Sequence, residues 1–233
     1  MTPLLEISVE SLASAIAAER GGAHRIELCS DLSVGGVTPN AELMRNARVA
    51  VKVPIFAMIR PRGGNFVYSD SELDQMRRDI DVAKSCKMDG VVLGILHADH
   101  TVDKERTREL VKIASPLPVT FHRAFDETPY LPEALEAVIQ SGATRILTSG
   151  GKRNAQLGAA ALSDLVVAAA ARIIIIPGGG INTSNFAEVI RATRAHEFHS
   201  GLGTTLPYGQ SSEAAFSSAV QELSCILSPL PYC

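Results

Sequence analysis

The sequence predicts an α/β protein built as one (β/α)8 barrel, a TIM barrel spanning residues 1–233. Three observations carry this expectation. Strand-like apolar segments alternate with helical ones eight times, at intervals of roughly 20 to 40 residues, and right-handed crossovers turn such units into a parallel sheet. No strand-like segment runs into the G-x-G-x-x-G turn of an open dinucleotide-binding sheet. Several strands place ionisable residues on one face, which a sheet covered by helices on both faces tolerates poorly. A barrel interior accepts them, paired, near the mouth at its carboxyl end.

The elements follow in order. Leu4 to Val9 reads as the first strand, and Ser11 to Arg20 as an Ala-rich helix stopped by Gly21 and Gly22. Arg25 to Cys29 is the second strand, followed by a loop to Pro39 and a helix capped by Asn40. Val53 to Arg60 is the third, then a polar loop to Ser69 and a charged amphipathic helix over Asp70 to Cys86. Gly90 to Leu96 is the fourth, with a helix over Asp103 to Ala114. The fifth strand opens at Pro118 and ends among His122, Arg123 and Asp126, before a helix over Leu131 to Gln140. Arg145 to Ser149 and Arg172 to Ile176 are the sixth and seventh strands, followed by helices over Ala155 to Ala171 and Asn185 to Arg194. Glu197 to Ser200 is the eighth, and Glu213 to Leu227 the last helix. The tail 228–233 holds two prolines and is expected to fray.

Composition excludes some functions. A net charge of −3 without a basic block offers nucleic acid no electrostatic footprint. No apolar run approaches the ~18 residues of a membrane span. The N-terminus meets Glu6 at once and has no basic region of a secretory signal. Four scattered cysteines form no C-x-x-C pair and no disulfide framework, which fits a reducing, cytoplasmic setting.

Period-two alternation sends the apolar set towards the helices and the other set towards the barrel axis. The inward set is then Glu6, Ser8, Arg25, Glu27, Cys29, Phe56, Met58, Arg60, Thr120, His122, Glu197 and His199, with Arg62 and Arg123 at the rim. For Glu6 and Glu27, a structural bridge to arginine and a role in chemistry stand side by side. His122 falls where a strand ends, the face on which barrel active sites are built, and suits a general acid or base. Glu27 or Glu6 would orient it or act as a second base. Arg60 and Arg62 flank a fixed proline and can clamp a carboxylate or phosphate. The loops after strands seven and eight, Gly178, Gly179 and Gly180 and then His199 and Ser200, are the usual anion cradle of this fold. Cys29, with Met58 near it, is the inward soft donor set for Cu(I), while Glu27, His122 and His199 would suit Zn²⁺ or Mn²⁺ if they converge. His97 to His100 reads as a surface loop. No lysine sits at a strand end to form a Schiff base, and no G-x-S-x-G elbow is present.

Glu27-Leu28-Cys29, Arg60-Pro61-Arg62-Gly63-Gly64 with Tyr68-Ser69-Asp70, Val119 to Asp126, Leu147 to Gly150 and Pro177 to Gly180 occur in order between residues 3 and 205. Together they resemble the CutC family, labelled copper homeostasis proteins. The resemblance implies a single barrel, a cytoplasmic location, a homo-oligomer (a dimer or tetramer) and a role in copper tolerance, with Cu(I) binding proposed for some members. Asn65 and Val67 stand where many members have Asp and, in some, Cys, which removes a possible thiol ligand. The segment after His199 is short and lacks the basic stretch of many members. Two functions are therefore expected: copper handling, or a barrel enzyme acting on a small anionic (phosphate or carboxylate) substrate.

Overall fold

Helix starts punctuate this chain, because each of its early crossovers opens on a side-chain cap. Ser11 accepts from the Ser14 amide, Asn40 from Leu43, Ser69 from Glu72 and Asp103 from Arg106. Each cap satisfies one of the amides that a helix N-terminus leaves without a partner. The Ser11 and Ser69 caps are reciprocated by Ser14 and Glu72, closing capping boxes.

The computed structural model describes residues 3–202 and 213–227. It holds eight strands: β1 Leu4–Val9, β2 Arg25–Leu28, β3 Ile55–Met58, β4 Gly90–Leu93, β5 Val119–Phe121, β6 Arg145–Thr148, β7 Ile174–Pro177 and β8 Glu197–Ser200. Eight helices follow them in turn: α1 Leu12–Arg20, α2 Ala41–Ala50, α3 Asp70–Ser85, α4 Lys104–Ala114, α5 Leu131–Ser141, α6 Ala159–Ala169, α7 Phe186–Thr193 and α8 Glu213–Leu227. All ladder pairs are parallel and run β7-β6-β5-β4-β3-β2-β1-β8, with β7 lying beside β8 so that the sheet curls into a nearly closed barrel. The expected (β/α)8 architecture is the observed one. The expected tail 228–233, and most of the segment after His199, lie outside the described residues.

Three elements are shorter than their apolar runs. β3 stops at Met58 because the Arg60 amide leaves the ladder for the Thr38 hydroxyl. β4 stops at Leu93, and Leu96 turns to form an isolated bridge with Val102. α6 starts at Ala159 rather than at residue 155, since Asn154 first accepts from the Leu157 amide in a turn.

Outside the barrel, Leu5, Ile7, Ile26, Leu28, Ile55 and Phe198 belong to one apolar core shared with the helices. Inside it, register places Glu6 opposite Arg25 and His199. Gly178 shows how tightly the wall is built, for a Cβ there would lie 2.4 Å from Leu147 Cδ1. Gly178→Ala is therefore expected to destabilise the chain by about 1–3 kcal/mol through overpacking. Urea melts check this, and an unchanged midpoint would show that Leu147 gives way freely.

Candidate functional site

The lower barrel is filled by charge. Arg25 sends its Nε to Glu6 and its Nη2 to Glu197 (2.6 Å), and Arg145 donates to the same Glu197 at 3.2 Å. Phe56 lies between the two cations, its ring 4.9 Å from the Arg25 guanidinium carbon and 5.1 Å from that of Arg145. Glu6 has 0% exposure. Burial pushes its pKa up, but the Arg25 guanidinium and His199 outweigh this and hold it at about 2. Glu6 is thus a fixed anion in a structural bridge, and its second oxygen accepts a hydrogen bond from His199 Nδ1–H at 2.8 Å.

That bond orients the imidazole. His199 turns its Nε2 towards Glu27 Oε2 at 3.8 Å, so the order along the wall is Arg25, Glu6, His199, Glu27. Burial acts against the charged form of His199, yet the Glu27 and Glu6 carboxylates raise its pKa overall. Glu27 moves upward because burial disfavours its anion, partly offset by His199. Its Oε1 is buried and has no hydrogen-bond partner among the described residues. Two carboxylates pushed in opposite directions mark one as a structural anion and the other as a proton carrier.

Above Glu27 opens a cavity of about 790 Å³ at the carboxyl end of the barrel, within the usual range for small-molecule sites. Ser8, Glu27, Met58 and His199 face it from the strands, Arg60 and His122 from just past the ends of β3 and β5, and Gly179 and Gly180 from the β7 loop. His122 caps a 3₁₀ turn over Arg123–Glu127 by accepting the Ala124 amide on Nδ1 at 3.2 Å. The ring proton must then sit on Nε2, which is buried without a partner among the described residues. Burial and the nearby Arg60 charge lower its pKa to about 3, so the ring is neutral at pH 7. With one nitrogen accepting and the other carrying its proton, His122 suits hydrogen-bond donation better than the acid–base role expected from sequence.

Arg60 is held by carbonyls rather than by Glu6 or Glu27. Its Nη1 donates to Val34 and Gly36 and its Nη2 to Gly64, while Nε stays buried and unpartnered among the described residues. Phe66 packs at 4.8 Å from both the Arg60 guanidinium carbon and the His122 ring centroid, clamping the two together. Arg62 turns away from the cavity: it donates to Glu72 and to the Gly63, Asn65 and Val67 carbonyls, bracing its own loop. Ser200 also points away, donating to the Ile181 carbonyl. Neither residue lines the cavity. Gly178 packs against Leu147 and His199, leaving Gly179 and Gly180 as the loop residues on the cavity wall. Arg123 and Asp126 pair at 2.8 Å, and Asp126 also gathers the Ser149 and Gly151 amides, which fixes the β6 loop.

Cys29 lies beneath the cavity in a small buried cluster with Phe56, Met58 and Val92. Its thiol faces Glu27 Oε2 at 3.7 Å, and burial plus that carboxylate push its pKa well up. A second donor set is Glu6, Glu27 and His199, whose ligand atoms lie within 4.8 Å of one another. Glu6 is already committed to Arg25, and His122 is not part of this set.

The CutC family model matches residues 3–204, most of the chain. The chain belongs to the CutC family. It is 43% identical over 222 residues to the human "Copper homeostasis protein cutC homolog", covering 95% of this chain and 81% of that one. A CutC family protein of Vibrio cholerae is 50% identical over 202 residues, covering 86% and 78%. The crystal structure of the putative copper homeostasis protein CutC from Streptococcus agalactiae superposes with a TM-score of 0.81 at 33% identity, covering 85% of this chain and 98% of that one. Thiamine phosphate pyrophosphorylase from Pyrococcus furiosus, at 17% identity and TM-score 0.64, shares the fold alone.

Sequence reasoning overlooked Phe66 and the 32–36 loop as parts of this family's mouth in this chain. Phe66 sits in a polar loop with no periodicity to direct it. The 32–36 loop holds Arg60 through main-chain carbonyls, which no residue type announces.

Proposed function

We propose that this chain serves copper homeostasis in the cytoplasm, with Cu(I) as a cargo met beneath the barrel mouth. The supporting observation is that Cys29 and Met58, a thiol and a thioether, pack in one buried cluster, of which Met58 reaches the cavity wall. Soft donors of this kind favour Cu(I). The Cys29 proton must leave for the thiolate to bind metal, and Glu27 Oε2 lies 3.7 Å away to take it. One thiolate with one thioether is a sparse set, which fits exchange of the ion better than storage. Cu(I) titration against a competing chelator tests this: Cys29→Ala should weaken binding at least tenfold, and equal affinity would remove Cys29 as a ligand. We also propose a homo-oligomer, checked by light scattering on the purified chain.

A second reading is favoured by a separate observation: the buried, unpartnered Glu27 Oε1, His122 Nε2 and Arg60 Nε belong to residues that line one cavity. Unmet polar atoms in a folded interior are costly, of order 1–3 kcal/mol each, unless something occupies the site. On this reading the mouth binds a small, oxygen-rich molecule. Its carboxylate or phosphate would lie towards Gly179, Gly180 and Arg123, away from Glu27. Ligand-induced shifts of cavity-residue NMR signals, across a panel of small hydroxy acids, carbonyl compounds and phosphates, check it.

A further inference from the structure

The second reading sends an anionic group towards the β7 loop, and the hydrogen bonding of that loop is one-sided. The carbonyls of residues 179–181 are all engaged. Gly179 accepts from the Ala155 amide at 2.9 Å, Gly180 from Asn185 Nδ2 at 2.8 Å and Ile181 from the Ser200 hydroxyl at 2.7 Å. The amides of the same three residues have no hydrogen-bond partner among the described residues. A planar trans peptide points its C=O and its N–H in opposite directions. Tying down the Gly179 and Gly180 carbonyls therefore turns the Gly180 and Ile181 amides the other way. All three residues line the mouth cavity. We infer that this loop is an oxyanion nest for the phosphate group of a small phosphate monoester, with the Gly179, Gly180 and Ile181 amides and Arg123 Nη1 as its donors.

Backbone conformation and the neighbouring side chain both favour that use. Gly179 and Gly180 have left-handed φ values of +89° and +69°. Glycine takes such angles without strain and lets the main chain approach a ligand closely. A Cβ on Gly179 would lie 3.1 Å from Arg123 Cζ and Nη1, so the guanidinium rests directly against the loop. Asp126 holds Arg123 Nε and the Ser149 hydroxyl holds Nη2, while Nη1 has no partner among the described residues. The cation is thus fixed in place with one nitrogen left for a ligand. Buried Asn185 anchors the other end of the loop, accepting the Asn182 amide on Oδ1 while its Nδ2 holds Gly180. The acids on this wall are already engaged. Asp126 accepts from Arg123, Thr148, Ser149 and Gly151, and Glu127 faces His100 at 3.9 Å.

The donor set discriminates between anions. A carboxylate is planar and is matched by a two-nitrogen fork, whereas only Nη1 of Arg123 lacks a bond here. A phosphate monoester presents three acceptor oxygens and roughly −1.5 to −2 charges at pH 7. Three amides beside one guanidinium nitrogen suit those three oxygens. Met58, Phe66 and Leu147 line the same cavity and offer apolar surface to a short carbon chain.

This inference rests on the reading that the mouth binds a small oxygen-rich molecule, and one titration separates the two. The whole chain, labelled with nitrogen-15, is titrated with glycerol 3-phosphate, inorganic phosphate, glycerol and lactate while the NMR signals of cavity residues are followed. Both phosphates should move the Gly179, Gly180 and Ile181 amides, and glycerol 3-phosphate should bind at least about tenfold more tightly than lactate. In Arg123→Gln its affinity should fall about 10- to 100-fold, the worth of one charge-assisted hydrogen bond. Gly179→Ala, whose Cβ fills the space between loop and guanidinium, should abolish the shifts. Three results overturn the phosphate assignment and leave the binding reading standing: a probe that binds with these amides unmoved, lactate bound as tightly as glycerol 3-phosphate, or undiminished phosphate binding in both variants. No cavity shift with these probes, or with the wider panel of hydroxy acids and carbonyl compounds, overturns both. Native-like melting guards each variant, and where one fails to fold, the pattern of moved amides in the parent chain still decides.

Discussion

Replacing Arg25 with methionine will destabilise the folded chain by roughly 3–5 kcal/mol, because it strips the cation from the buried Glu6 carboxylate while leaving that carboxylate in place. Glu6, fully buried, would lose its cation, while the partly exposed Glu197 would keep Arg145 at 3.2 Å. For a chain of this length each kcal/mol moves the melting midpoint by roughly 2–4 °C, so a fall of about 6–20 °C is expected. Arg172→Ala provides the contrast. That arginine pairs with Glu136 on the surface, where both side chains are nearly half exposed, and its loss should cost under about 1 kcal/mol. Calorimetry of the two variants decides the matter. Similar small losses in both would mean that the lower barrel tolerates unpaired charge and is not the rigid base on which the mouth rests.

Acid will unfold this protein by way of His122 before it acts through Glu6. The folded ring has a pKa of about 3, lowered by burial and by Arg60, against 6.5 for a free histidine. Between these values the unfolded chain binds a proton that the folded chain refuses. Stability is therefore fully present above about pH 6.5 and is lost as pH falls towards 3. At about 1.4 kcal/mol per pH unit the loss reaches on the order of 3 kcal/mol by pH 4.5. Glu6 then adds its own loss, for its folded pKa of about 2 lies below the ordinary 4.5, and that stabilisation fades as pH falls through this lower window. His199 works in the opposite sense. Its pKa is raised in the folded chain, so its contribution is present below the ordinary histidine value and fades as pH rises through the folded value. Urea melts at pH 7, 5.5 and 4.5 will show a steep decline in the parent chain and a shallower one in His122→Asn, whose side-chain oxygen can still accept the Ala124 amide. Parallel declines would contradict a buried, neutral His122.

Most of the barrel was legible because its signals are local and repeated. The cap at Asn40, the glycine stop at Gly21 and Gly22 and alternation along each strand all agree with one another. Alternation also separates Glu6, Arg25, Glu27 and His199 from the outward apolar set. What it could not supply was azimuth and distance around the barrel. Arg60 and Arg62 lie two residues apart in one motif, yet one faces the cavity and the other braces a loop, since the chain leaves the strand at Met58 and the period ends there. Ser200 follows His199 and so points to the other side of the wall, a consequence of the same alternation. The state of His122 was hidden for a different reason. A histidine in sequence carries no sign of which nitrogen a backbone amide will occupy, and that one bond converts an expected acid or base into a neutral donor.

The central claim is that His122, on the wall of the mouth cavity, is a buried neutral ring whose proton sits on Nε2. Histidine-selective nitrogen NMR of the uniformly labelled chain, with His122→Asn used to assign the signal, tests it most directly. The account predicts a single Nε2–H tautomer for His122 that persists unprotonated from pH 7 to the onset of acid unfolding, with His199 protonating at higher pH than a free imidazole. A His122 ring that carries its proton on Nδ1, or that titrates near pH 6.5, would contradict it.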